Sequence, residues 1–133
     1  MTPDPRAIAT ACLHAAHDGS LSFPEIVGRL IDAGFEGYSV DYRAHSQTYY
    51  PAGAPGIPLI MPGEPPPVAA AFDASAVAAQ VAWAQSGAAD YSYEGFCQRV
   101  TAAGCAGYLV SFPGRRVVYY GRDAQTHVEH FPG

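Results

Sequence analysis

The chain alternates between two periods of apolar positions, and the alternation occurs twice. After Ser22, apolar side chains fall at Phe23, Ile26, Val27, Leu30 and Ile31, the spacing of one helix face. Ser22 and Glu25 have the spacing of a capping box, and Gly34 stands where a helix would end in a left-handed residue. From Gly37 to Tyr42 the period falls to two, with Tyr38, Val40 and Tyr42 on one side, as in a half-buried strand. A short turn and a second strand through Tyr49 and Tyr50 follow. Later, Ser92 caps a stripe of Tyr93, Phe96, Cys97 and Val100, and Gly104 stops it. Strands are then expected over Gly107–Phe112 and Arg116–Tyr120, joined by a turn at Pro113-Gly114.

Residues 22–50 and 92–120 align without a gap at a constant offset of 70. The identities include Arg29/Arg99, Gly34/Gly104, Gly37/Gly107, Tyr38/Tyr108, Val40/Val110, Tyr49/Tyr119 and Tyr50/Tyr120. Chance likeness of two common helix–strand patterns is the alternative; the unbroken register favours an internal duplication. Upstream, Asp4 and Pro5 open a helix expected to run to about His17 and stop at Gly19. Asp73 opens another that ends near Gly87. The unit therefore reads helix, helix, strand, strand, twice, over about 4–50 and 73–120. The expected class is α+β: one domain over 1–133, with pseudo-two-fold hairpins sharing a mostly antiparallel sheet packed by helices.

Residues 51–67 join the halves, and ten of these seventeen are Pro or Gly, which excludes a helix. Ile57–Met61 reads as a short edge strand, which tolerates Pro58. In the tail, 121–133, Val128 and Phe131 predict docking of the stretch from Thr126 to Pro132. That stretch would add a strand to the sheet or to a neighbouring subunit.

Composition narrows the functions. At 133 residues, 49% hydrophobic and 14% charged, the chain suits one packed domain. A net charge of −5, with no Lys, argues against nucleic-acid binding. No apolar run is long enough for a membrane span, and Met1 to Arg6 does not read as a signal peptide. Cys12, Cys97 and Cys105 are three thiols without CxxC spacing, so reduced cysteines and a cytoplasmic location are expected.

The stretches FPEIVGRLIDAGFEGYSVDY, AAFD, YEGFCQRVTAAGCAGYLVSF and GRRVVYYGRDAQTHVEHFP, in this order and spacing, resemble the YdfO/YbcV-like family of bacterial and prophage proteins. The resemblance covers nearly the whole chain and is weakest in the Pro/Gly linker. It implies a small cytosolic α+β domain of unknown function. Some members carry the label of phage envelope protein, which makes a phage structural component one alternative. The resemblance supplies no catalytic residues.

Three side-chain sets could carry chemistry. Tyr49, Tyr50, Tyr119 and Tyr120 with Arg115, Arg116 and Arg122 could line a patch for a protein partner or a small anionic ligand; ordinary half-buried strand tyrosines are the alternative. His14/His17 and His127/His130 have HxxH spacing. If the pairs converged with Asp18 or Glu129 they would suit Zn or Fe. Otherwise they are solvated pairs, and a strand over 126–131 would send His127 and His130 to opposite faces. Cys97 and Cys105 align with Val27 and Phe35, so they read as small core residues rather than as nucleophiles needing a nearby base. No GxSxG elbow, P-loop or dinucleotide fingerprint is present. The sequence thus favours a non-enzymatic binding or interaction module, with no cofactor and a homodimer or protein partner expected. The alternative is a metal- or His-dependent enzyme using His127, Glu129 and His130, with His45 as a further member.

Overall fold

The computed structural model describes residues 4–132. In chain order the elements are α1 (Pro5–Asp18), α2 (Phe23–Asp32), β1 (Phe35–Asp41), β2 (Ser46–Pro51) and β3 (Ile57–Ile60). They are followed by α3 (Ala74–Gln85), α4 (Tyr93–Ala102), β4 (Cys105–Ser111), β5 (Arg116–Gly121) and β6 (Thr126–His130). The fold is α+β. All six strands form one antiparallel sheet in the order β3-β2-β1-β4-β5-β6. Among the described residues, no helix is long and apolar enough to cross a membrane.

Each helix begins where a side-chain oxygen satisfies an otherwise orphaned backbone N–H. Asp4 accepts from the Arg6 amide at 3.2 Å, and Asp73 accepts from the Ala76 amide at 3.1 Å. Ser22 and Glu25 close a reciprocal capping box at 3.3 and 3.0 Å. Ser92 accepts from the Gly95 amide at 3.0 Å. Helices α2 and α4 are each followed by a glycine at positive φ, Gly34 at 88° and Gly104 at 89°.

The central strands start earlier than alternation alone suggests. β1 begins at Phe35 and β4 at Cys105, two residues before Gly37 and Gly107, because a bulge in each shifts the register at the strand entry. Tyr42 and Phe112 fall just outside the strands yet still donate to the Ala106 and Glu36 carbonyls, both at 3.0 Å.

The strand pairing repeats at the same offset of 70. Tyr38 opposes Tyr49 as Tyr108 opposes Tyr119. Thr48 opposes Pro58 as Val118 opposes Val128. Beyond the third strands, Met61 donates to the His45 carbonyl and Phe131 to the Arg115 carbonyl, both at 2.9 Å. Each half is therefore two helices and three strands, one strand more than the repeat legible in the sequence. Within 51–67, Pro51 ends β2 and Ile57–Ile60 forms β3 at the sheet edge, where a short strand is expected from the sequence. The tail pairs as β6 with the chain's own β5. β1 and β4 meet around the opposed pair Ser39 and Leu109, which are equivalent positions, so an approximate two-fold axis crosses the sheet there.

One face of the sheet carries the core. Tyr38, Val40, Tyr42, Tyr49, Tyr108, Val110 and Tyr119 pack against Leu13, Ile26, Leu30, Val77, Phe96 and Val100 from the four helices. Leu30, Val77 and Val100 are fully buried, each contributing roughly 1.5–3 kcal/mol relative to an exposed side chain. Among the described residues, no helix lies on the opposite face.

Candidate functional site

The tyrosine and arginine residues singled out in the sequence do not line one groove. Consecutive strand residues point to opposite faces. Tyr49 and Tyr119 are therefore buried under the helices at 2% and 7% exposure, while Tyr50 and Tyr120 lie on the open face. The guanidinium groups separate as well. Arg115 donates to the Pro132 carbonyl at 3.1 Å, Arg116 to the Gly114 carbonyl at 3.0 Å and Arg122 to the Val68 carbonyl at 3.4 Å. Each is bound to a different segment of backbone, so they form no convergent anion pocket.

The histidine pairs separate too. Because 126–130 is a strand, His127 and Glu129 share the helix side, while His130 is exposed on the other. His127 Nε2 lies 3.3 Å from Glu129 Oε2, at ion-pair distance but without hydrogen-bond geometry. His14 is exposed on α1, and the half-buried His17 bonds the Leu13 carbonyl through Nδ1 at 2.9 Å. His45 lies in the β1–β2 turn, away from β6 in the strand order. Among the described residues, no three His, Cys, Asp or Glu side chains are arranged to hold a metal ion.

The cysteines are core residues. Cys12, Cys97 and Cys105 are buried and unpaired. Burial pushes the Cys97 and Cys105 thiols up to about 11, and it raises Cys12 as well. A thiol held protonated is a poor nucleophile. Cys97 instead accepts a hydrogen bond from the Tyr42 hydroxyl at 3.4 Å. Neighbouring phenols are tied together: Tyr49 donates to Gln47 at 2.7 Å, Gln47 donates to Tyr93 at 3.1 Å, and Tyr93 and Tyr108 share a 2.6 Å bond. This network gives these buried polar groups partners under the helices.

Among the described residues, the open sheet face has no helix packed on it. Its central row crosses all six strands through the registers Pro58, Thr48, Ser39, Leu109, Val118 and Val128. Leu109 is 43% exposed, Val128 37% and Ile60 at the far edge 76%. The row is polar or Pro in the first half and apolar in the second: Ser39, Thr48 and Pro58 against Leu109, Val118 and Val128. Tyr50 and Tyr120 flank it, and Ser39 and Tyr50 share a 2.9 Å hydrogen bond. The outward registers carry one carboxylate, Asp41, and one guanidinium, Arg116.

Sequence reasoning missed Leu109 and Val118, and it read Val128 as docking on the core, whereas strand alternation turns Val128 to the open face. A signal was available. β4 and β5 are apolar at both parities, Tyr108 and Val110 alternating with Leu109, and Val117 and Tyr119 with Val118. β1 instead places Ser39 and Asp41 at its outward positions. A strand that is apolar on both sides needs cover on both.

No family model matches the chain, and comparison with curated proteins finds no similar sequence.

Proposed function

We propose that this protein is a non-enzymatic interaction module that associates with a second copy of itself through the open face of its sheet. The observation that carries this reading is the apolar half-row of exposed Leu109 and Val128 and half-buried Val118, on a face that no helix of the described residues covers. A six-stranded face is about 25–30 Å wide and roughly 17 Å along five residues. Once textured by side chains, such a footprint approaches the roughly 800 Å² per partner of a standard interface.

A second copy suits the face for two reasons. Two copies present sheets of identical twist, and sheets of matched twist stack face to face. Each copy carries −5 overall, but the paired outward positions of the face hold one carboxylate, Asp41, and one guanidinium, Arg116, so little of that charge lies on the strands themselves. The YdfO/YbcV-like resemblance supplies no catalytic residue, and three buried, unpaired thiols suit a reducing cytoplasm.

Sedimentation velocity over a wide concentration range tests the reading. Wild type is expected to sediment as a dimer, and Leu109→Arg as a folded monomer, because Leu109 lies outside the core. A strictly monomeric wild type at millimolar concentration would overturn it, as would dimers that persist in both Leu109→Arg and Val128→Arg.

A further inference from the structure

The two edges of the sheet hold equivalent places in the near two-fold fold, but their backbones differ. On the β6 side, Phe131 donates to the Arg115 carbonyl and Gly121 to the Gln125 carbonyl. Hydrogen bonding alternates along an antiparallel pair, so His127 and Glu129 also bond β5. The N–H and C=O groups of Thr126, Val128 and His130 therefore point away from the sheet, and among the described residues no further strand takes them. On the β3 side, Met61 donates to the His45 carbonyl, so Pro58 and Ile60 hold the outward positions. Pro58 occupies the register that Val128 holds in the other half, and it has no N–H. A proline thus blunts one edge, while the other is left open to pairing.

The side chains of β6 select what can add there. His127 and Glu129 lie on the helix side, 24% and 32% exposed. A carboxylate at an edge resists an arbitrary added strand. A second β6 running antiparallel, with Val128 opposite Val128, answers it. Glu129 then faces His127 of the other copy, His127 faces its Glu129, and Thr126 faces its His130. The outward groups of all three residues meet as hydrogen-bonded pairs, each exchanging both N–H···O bonds. A slip of two residues one way would oppose Glu129 to Glu129, so the charges also fix the register. On the open face the two Val128 side chains come together, and the half-row Leu109, Val118, Val128 continues into that of the second copy.

We infer that face-stacked dimers pair with one another through β6 to form a tetramer, an inference that rests on the stacked dimer and extends it. Stacked sheets keep their strands nearly aligned. Of the two-fold stacks that cover the whole face, only the one that lays β6 over β6 brings the apolar half-rows together. That dimer presents both open edges on one side. A single junction spans a strand of 5 residues and holds two chains weakly, whereas two junctions closed together act as one bivalent contact. The edges carrying Pro58 stay outside, so growth stops at the tetramer.

Sedimentation velocity on the full chain tests the pairing. Wild type should pass from dimer to tetramer as concentration rises. Val128→Pro gives β6 the proline of β3. It removes an outward N–H, keeps the pairing with β5 and an apolar side chain, and should stop at the dimer. His127→Glu opposes carboxylates across each junction and should weaken tetramer formation by roughly tenfold or more. Adding Glu129→His to that variant restores unlike partners in the same register and should restore the tetramer. The dimer shared by all four proteins reports that each is folded. A wild type that stops at the dimer up to millimolar concentration would overturn the edge pairing while the face reading stands, and would leave the edge to an extended segment of another protein. So would tetramers that persist in Val128→Pro, or a double variant no better than His127→Glu. A wild type that never leaves the monomer would overturn both readings.

Discussion

The same residue type can carry different demands in the two halves. Gly34 and Gly104 are aligned, and both sit at φ near 90°, where an L side chain is strained. A Cβ on Gly34 would meet nothing within 4 Å, whereas one on Gly104 would run into the Ala71 carbonyl and lie 2.7 Å from Phe72 Cα. Gly34→Ala should cost about 1–2 kcal/mol from backbone strain alone. Gly104→Ala should cost roughly 1–3 kcal/mol more, because backbone must move. Urea unfolding of the two variants checks the ranking; equal costs would contradict it. The glycines' role as helix stops was legible in the sequence. Their different surroundings were not, because the segment leading into α3 packs only on the second. Buried acids give a second prediction at this scale. Burial raises Cys97 and Cys105 from 9.0 to about 11, and it raises Tyr49 and Tyr119 above the ordinary phenol value. The folded state therefore holds these protons more tightly than the unfolded chain. Their contribution is fully present below about pH 9 and falls away as pH climbs through 11. Stability measured from pH 7 to 12 should stay level and then drop, and iodoacetamide at pH 8 should label Cys97 and Cys105 only after unfolding. Rapid labelling of the folded protein would show that these thiols are not buried.

Elements were most legible where local chemistry decides them. Asp4, Ser22, Asp73 and Ser92 cap helices because a short side-chain oxygen reaches an amide two or three residues ahead, and that spacing can be read directly. The third strands were each legible, but their equivalence was not. Ile57–Ile60 and His127–His130 occupy equivalent registers, yet IPLI and HVEH share no side chain. Only backbone pairing relates them. The tyrosine set was misread because adjacent members of each pair were assigned to one surface, although alternation sends them apart. The tail gives the prediction for this scale. β6 covers the edge of β5 through five registers, and Phe131 adds an aromatic contact to Phe23. Deleting 126–133 should lower the melting temperature by at least about 5 °C, the shift that roughly 1–2 kcal/mol produces in a domain of this size. An unchanged melting temperature would mean that β6 contributes nothing to the fold.

At the scale of the whole molecule, the near two-fold relation makes self-association testable from within one chain. Thr48 and Val118 occupy equivalent outward registers, and both are half-buried. Only Val118 belongs to the apolar half-row. If a second copy sits on that half-row, Val118→Arg should dissociate the dimer far more than Thr48→Arg, although both place the same charge on the same kind of strand. The dimer should also make stability depend on concentration. Association favours the folded state by mass action, so the wild-type unfolding midpoint should rise with protein concentration, while that of Val118→Arg should not. Salt supplies the sign that separates an apolar interface from an ionic one. Two copies at −5 each repel at long range, and added salt screens that repulsion. An interface built on Leu109, Val118 and Val128 gains from screening, whereas one held by ion pairs loses. Dimerisation should therefore tighten as NaCl rises, measured by sedimentation at constant pH. Weakening with salt would move the interface off the sheet face and onto charged surface.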